Sequence, residues 1–115
     1  MSKKELVEKL NKELENKSTQ EVVEFFFKNF EKVALSSSLA AEDQVLTDLM
    51  LKENKNATIF TLDTGRLHPE TYDVMDATNL KYGVKIDVFF PNNEKVQELY
   101  QTQGVNGQYE SIENR

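Results

Sequence analysis

Two short polar segments concentrate the side chains that could do chemistry. The first sets three hydroxyls in a row, Ser36, Ser37 and Ser38, ahead of Leu39, Ala40, Ala41, Glu42 and Asp43. The second reads Leu62, Asp63, Thr64, Gly65, Arg66, followed by His68 and Pro69. Consecutive hydroxyls before a helix start can surround phosphate or sulfate oxygens with neutral donors, and the free N–H groups of the first helical turn add a favourable dipole. Small Ala40 and Ala41 permit close approach. Arg66 offers a planar fork that pairs two anionic oxygens, and Gly65 permits a backbone conformation closed to other residues. The chemistry these types suggest is capture of a small anion or a nucleotide phosphate. The plainer reading also stands: a serine-rich turn before a helix is commonly a cap, and a single Arg is commonly solvated. The carboxylates Glu42, Asp43 and Asp63 repel an anion unless N–H groups, a proton or a cation offset them. Glu42 and Asp43 are neighbours in sequence, so on a helix they point about 100° apart and make a poor acid/base pair. His68 reads as a capping or surface residue, and no metal-ligand spacing occurs.

The elements that must position these segments follow from periodicity. Leu6, Val7, Leu10 and Leu14 recur at helical spacing among Lys and Glu, predicting a surface helix with one packed stripe. Ser18 with Glu21 forms a capping-box pair ahead of Val22, Val23, Phe25, Phe26, Phe27 and Phe30, predicting a second helix buried on a wide face with its four Phe in the core. Val33 to Leu35 reads as a short strand entering the Ser36–Ser38 turn. A helix opening with Glu42 and Asp43 in its first turn then runs until Asn54 to Asn56. The pattern repeats: a strand over 57–62, a turn over 63–66, and a helix from Pro69 to near Gly83. A third strand over 84–90 stops at Pro91, and a last helix spans 94–103. Strands alternating with helices imply right-handed crossovers, hence an α/β fold with a parallel sheet and helices on both faces in three layers. Three strands make a small sheet, so further strands are expected beyond it. The chain divides into N-terminal helices (1–30), a partial α/β domain (31–103) and a polar tail (104–115). In an open parallel sheet, ligands bind outside the carboxyl ends of the strands, which brings the two polar turns to one rim.

Composition narrows the function class. The 115 residues include 14 Lys and Arg against 20 Asp and Glu, a formal charge of -6, so the whole-molecule field disfavours nonspecific nucleic-acid binding. There is no Cys, which excludes a disulfide framework, a Cys-ligated zinc or iron–sulfur centre, and thiol catalysis by these residues themselves. The charged start lacks an apolar signal core and no apolar stretch suits a membrane helix, so a cytoplasmic location is expected.

The runs SSSLAAEDQVL (36–46) and TLDTGRLHPETY (61–72), with Tyr82-Gly83 and the tail GVNGQYESIENR, resemble the phosphoadenylyl-sulfate and adenylyl-sulfate reductases of assimilatory sulfate reduction. The resemblance implies an adenine-nucleotide α-hydrolase-like, Rossmann-like fold. It also implies a nucleotide site built from Ser36, Ser37, Ser38, Leu39, Ala40, Ala41, Glu42 and Asp43, a modified pyrophosphate loop, together with Leu62, Asp63, Thr64, Gly65 and Arg66. Where the family usually has Gly, this chain has Ala40. Family chemistry is attack of a cysteine thiolate on the sulfur of adenylyl sulfate or 3'-phosphoadenylyl sulfate. AMP or adenosine 3',5'-bisphosphate leaves, and thioredoxin or glutaredoxin serves as reductant. That cysteine, and the cysteine pairs that carry a [4Fe-4S] cluster in one branch, follow the segment matched by Tyr109 to Arg115. The chain is therefore expected to be the amino-terminal portion of such an oxidoreductase, truncated after the third strand, without cofactor or metal of its own and inactive alone. SIENR leans toward the adenylyl-sulfate branch. Two alternatives are a related sulfate adenylyltransferase, against which Leu39-Ala40-Ala41 counts, and a non-catalytic fragment that self-associates as a homodimer or higher oligomer through the strand edge at 33–35.

Overall fold

The computed structural model describes residues 1–109; the part of the expected tail from 110 to 115 lies outside the described residues. Local sequence sets the helix starts. Helix α1 (Lys3–Leu14) opens on Ser2 and α2 (Thr19–Asn29) on Ser18, each with a reciprocal capping box to Glu5 or Glu21, which satisfies orphan N–H groups at both starts. After α2 the chain runs β1 (Ala34–Ser36), α3 (Ala41–Glu53), β2 (Thr58–Leu62), α4 (Pro69–Tyr82), β3 (Asp87–Phe89) and α5 (Asn93–Gln103), ending in a 3-10 turn at Gly107–Tyr109. Pro69 supplies the first helical position of α4, and Gly83, at φ 64°, closes it in the left-handed conformation.

The three strands form one parallel sheet in the order β1-β2-β3. Leu35 faces Ile59 across the first ladder and Thr61 faces Val88 across the second. Two successive right-handed crossovers running in the same direction lay both connecting helices on one face of the sheet. The core records this: Leu51 of α3 and Met75 of α4 are buried with Ile59, Ile86 and Leu39, and Leu35 and Val88 pack against them. Across the helix pair, Gln44 Nε2 donates to Thr78 Oγ1 at 2.9 Å and Tyr82 Oη donates to Asp48 Oδ1 at 2.7 Å. Those bonds hold α3 and α4 side by side, so both present their amino ends at the carboxyl rim of the sheet.

The α/β class and parallel sheet are as expected; burial is more one-sided than expected. Strand residues pointing away from α3 and α4 remain exposed, including Ala34, Thr58 and Asp87, and large apolar groups stand among them: Leu62 at 61% and Phe89 at 56%, with Phe90 at 68% just beyond β3. The third strand is also shorter than the apolar run 84–90. Val84 N–H bonds Asn79 O and Ile86 N–H bonds Asn79 Oδ1, so α4 takes backbone groups that a longer ladder would use. The N-terminal helices pack less than their patterns suggest. Helix α1 buries no residue, with Leu6 and Val7 exposed, and α2 buries only Val23 fully. Phe25, Phe26 and Phe27 are half-buried and Phe30 is exposed. Phe26 meets Phe25 edge to face and stacks on Phe30, at centroid distances of 5.7 and 5.4 Å, so these rings satisfy one another more than the core. The radius of gyration, 17.9 Å, exceeds the roughly 13 Å of a compact chain of this length, as helices projecting from a three-stranded unit require. Among the described residues no helix is long and apolar enough to cross a membrane.

Candidate functional site

The first turn is built around an unusual residue. Leu39 adopts φ 65°, a left-handed conformation that costs an L side chain about 1–2 kcal/mol. Its side chain is only 7% exposed and belongs to the core cluster, so burial offsets the backbone strain. The structure places the Leu39 side chain in the core beneath the turn, while its backbone stays within the loop expected to hold the ligand. The reversal at Leu39 is braced on both sides: buried Ser37 Oγ accepts Leu39 N–H at 3.0 Å, and Ser38 Oγ accepts Ala40 N–H at 3.3 Å. Asp43 reaches back from α3, its Oδ2 accepting both the N–H and the hydroxyl of Ser38 at 2.6 Å. Those two donors hold the Asp43 carboxyl below its ordinary range. Ala40 caps α3 with no side-chain hydrogen bond, leaving the first N–H groups of the helix without a side-chain acceptor, aimed at the rim.

The second turn is fixed by its own carboxylate. Buried Asp63 continues the ladder through its N–H to Phe89 O at 2.9 Å. Its Oδ1 accepts Gly65 N–H at 2.7 Å, and Tyr72 Oη of α4 lies 3.0 and 2.9 Å from its two oxygens. The phenol is pushed above its ordinary pKa, chiefly by donating to Asp63. Gly65 turns the chain at φ 85°, which only glycine adopts freely. Thr64 Oγ1 then accepts Arg66 N–H at 3.2 Å.

Between the two turns lies a cavity of about 350 Å³, lined by Ser36, Ser37, Ser38, Asp43, Thr61, Leu62, Leu67 and Thr71. The structure thus brings the serine turn, Asp43 and Leu62 to one cleft, as the rim argument requires. Three of its walls, Thr61, Leu67 and Thr71, were not singled out from sequence. Thr61 carried a signal, since a hydroxyl at the penultimate, inward position of a strand lines the same rim. Ala41, Glu42, Thr64 and Gly65 stand exposed at the edges. Arg66 does not line the cleft. The guanidinium points to the end of the chain, where Nη2 donates to Val105 O and to Tyr100 Oη (3.3 Å) and Nη1 to Asn106 Oδ1 (3.5 Å). His68 occupies the N-cap of α4 exposed and without a side-chain cap bond. Two of the three carboxylates that could repel an anion are engaged: Asp43 by Ser38, Asp63 by Tyr72 and Gly65. Among the described residues no group of three or more His, Cys, Asp or Glu could hold a metal ion.

Comparison with known proteins gives this geometry a context. Residues 32–115 match the family described as the phosphoadenosine phosphosulfate reductase domain. The chain is similar to the adenosine 5'-phosphosulfate reductase of Pseudomonas aeruginosa (strain LESB58), 40% identical over 92 residues that make up 80% of this chain and 34% of that protein. It is similar to the enzyme of the same name from Neisseria meningitidis serogroup B, 44% identical over 81 residues, 70% of this chain and 33% of that protein. With the chloroplastic 5'-adenylylsulfate reductase 1 of Arabidopsis thaliana it shares 35% identity over 103 residues, 90% of this chain and 22% of that protein. The chain spans about a third or less of the length of these relatives.

Proposed function

The chain belongs to the phosphoadenosine phosphosulfate reductase domain family, and from that premise we propose that its rim binds adenylyl sulfate as the nucleotide-binding portion of a thiol-dependent reductase. The observation that carries the reading is the cleft at the amino end of α3. A helix start with no side-chain cap, the hydroxyls of Ser36, Ser37 and Ser38, and Ala40 and Ala41 in place of bulk all converge beside one cavity. The sulfated end of the nucleotide sits against the N–H groups of Ala41, Glu42 and Asp43 and the serine hydroxyls. The nucleoside lies toward Leu62 and the Asp63–Gly65 turn. Adenylyl sulfate is preferred to its 3'-phosphorylated form because the relatives named above are adenosine 5'-phosphosulfate and 5'-adenylylsulfate reductases.

In that reaction a thiolate attacks the sulfur, an S–S bond forms, and the S–O bond to the phosphate breaks with its electron pair leaving on AMP. A second thiol then releases sulfite as a disulfide forms. The 115 residues contain no Cys, so the attacking thiol comes from outside them, as would any thiolate ligand of an iron–sulfur cluster. These residues bind and orient the nucleotide, do not reduce it by themselves, and depend on thioredoxin or glutaredoxin as electron source for the complete reaction.

A second reading is favoured by the exposed sheet face. Leu62, Phe89 and Phe90 present apolar surface of a kind that commonly marks an interface, so self-association of the chain accompanies or replaces ligand binding. One experiment separates the two: calorimetric titration of the chain with AMP, adenylyl sulfate and 3'-phosphoadenylyl sulfate, with light-scattering mass on the same sample. Saturable binding of adenylyl sulfate is expected. Binding of neither sulfated nucleotide by an oligomer would leave the second reading, and binding of the 3'-phosphorylated form alone would overturn the substrate assignment.

A further inference from the structure

Arg66 is the one residue of the second turn whose side chain leaves the rim altogether. Its side chain hydrogen-bonds residues 34 to 40 positions later, at the end of α5 and just beyond it: Tyr100 Oη, Val105 O and Asn106 Oδ1. The rings of Tyr100 and Tyr109 each lie 5.8 Å from its Cζ, within cation–π reach. No ion pair among the described residues involves it. A guanidinium in an acidic chain that is served by a carbonyl, an amide oxygen, a phenol and two ring faces has its donors directed at neutral, geometrically demanding partners. Bidentate anion capture needs a free fork, and both terminal nitrogens of this one are engaged. Meanwhile α5 buries no residue, so side-chain burial does little to fix its course. Beyond Gly104 the backbone makes short-range bonds, Gly107 N–H to Gly104 O and Tyr109 N–H to Asn106 O, besides the Val105 O that accepts from Arg66. Arg66 supplies long-range polar contacts that tie this segment to the α/β unit.

We propose that Arg66 is a positioning residue that clamps the segment from Tyr100 to Tyr109 onto the second turn, and that it does not itself hold the sulfated end of the nucleotide. The clamp sets where the chain runs as it leaves the α/β unit, beside the cleft, and it locks the Gly65–Arg66 turn from the outside. The word nucleotide rests on the function proposed above; the clamp itself does not. Arg66 therefore reports on two segments at once: its backbone N–H belongs to the turn through Thr64 Oγ1, and its side chain belongs to the tail.

The test uses the full chain with Arg66→Gln, Arg66→Lys, Tyr109→Leu and the double variant Arg66→Gln with Tyr109→Leu. In the wild type, the Arg66 side-chain protons should be shifted upfield by the two rings, and Tyr109→Leu should relax that shift. Amide exchange over 104–109 should rise about tenfold or more in Arg66→Gln and in Tyr109→Leu, as loss of local protection reads. The double variant should rise no further than the larger single, because both break one unit. Arg66→Lys, which keeps the charge but loses the planar fork, should not restore protection. Exchange at Ile59 and Thr61 should be unchanged throughout. The salt dependence of adenylyl sulfate affinity should have the same slope in Arg66→Gln as in the wild type, since no cation is removed from the anion. Unshifted Arg66 protons in the wild type, or unchanged exchange over 104–109 in Arg66→Gln, would overturn the clamp. So would a flatter salt slope in Arg66→Gln with none in Tyr109→Leu, which would make Arg66 an anion ligand. If the wild type binds no sulfated nucleotide, the proposed function fails while the resonance shift and the exchange still decide the clamp.

Discussion

Leu39 and Leu51 offer a matched pair for testing how the first turn is held. Both are 7% exposed and both pack in the same core cluster, yet Leu39 has φ 65° while Leu51 lies inside α3. Truncating either to Ala removes the same atoms from the same core, so each should lose stability by about 2–5 kcal/mol, the span for buried leucines. The informative step is the next one, Ala to Gly. At Leu51 it removes a further buried methyl, about 0.8 kcal/mol, and adds the helix-interior cost of Gly, about 0.8–1.0 kcal/mol, for a total near 1.7 kcal/mol. At Leu39 the methyl loss of about 0.8 kcal/mol and the added freedom of the unfolded chain, about 0.4–1 kcal/mol, are offset by relief of about 1–2 kcal/mol of left-handed strain. Ala and Gly should therefore be nearly equal at position 39 and separated by about 1.5 kcal/mol or more at position 51, from the same contributions. Urea unfolding at pH 7 reads this directly, provided the four variants share one denaturant slope. An Ala-to-Gly cost at position 39 as large as that at position 51 would refute the strain argument. It would also remove the reason for calling the turn a backbone device anchored from below.

Two further perturbations address the charges and the second turn. Asp43→Asn removes the carboxylate that accepts both Ser38 donors; adenylyl sulfate should bind more tightly to this variant in calorimetry, and unchanged or weaker binding would mean that Asp43 contributes to the site rather than competing with the ligand. Because the folded Asp43 carboxyl is held below its ordinary 3.8, its bond contributes stability above that value and loses it as pH falls through the lower folded value. Urea midpoints at pH 7 and pH 3 should therefore converge between wild type and Asp43→Asn at the acid end. Gly65→Ala meets no neighbouring atom within 4 Å but must adopt φ 85°, so about 1 kcal/mol or more of stability should be lost through backbone strain alone; an unchanged midpoint would show that the turn relaxes.

The order of elements was legible because each start and stop rests on local chemistry. Ser18 with Glu21, Pro69 and Gly83 act within a few residues of themselves, and all three do what their types predict. Burial was less legible, since it depends on what stands opposite. The Phe residues of α2 read as core from periodicity alone, but hydrophobic periodicity says only that a stripe seeks cover, and here part of it is met by ring on ring. Leu62 and Phe89 fall in apolar runs that read as strands of a sheet covered by helices on both faces, and both are exposed. Within the rim, sequence could propose the two turns as neighbours through the topology rule. It could not show that Leu39 points down into the core or that Arg66 turns to Tyr100 and Tyr109, because both are tertiary choices with no signature in spacing. A planar cation after a glycine turn is equally compatible with an anion and with an aromatic cage.

The deeper difficulty of the rim is its sign. A chain of formal charge -6 that places Asp43 and Asp63 beside its cleft should not welcome an anion, and the one Arg of the turns is engaged elsewhere. What makes the site tenable is that the two carboxylates have work of their own. Asp63 is buried and used to close its turn through Gly65 and Tyr72, so its charge is spread over donors already facing it. Asp43 accepts the donors of Ser38 and stands in the position that an incoming anion would contest. The donors left over are backbone N–H groups at an uncapped helix start, which carry partial positive charge wherever the side-chain charges lie. Binding by such groups is directional and short-ranged, so it depends on the shape that Leu39 imposes more than on net charge. A site of this kind selects an oxyanion by fit to a backbone turn, whereas a lysine or arginine cluster would attract any polyanion from a distance.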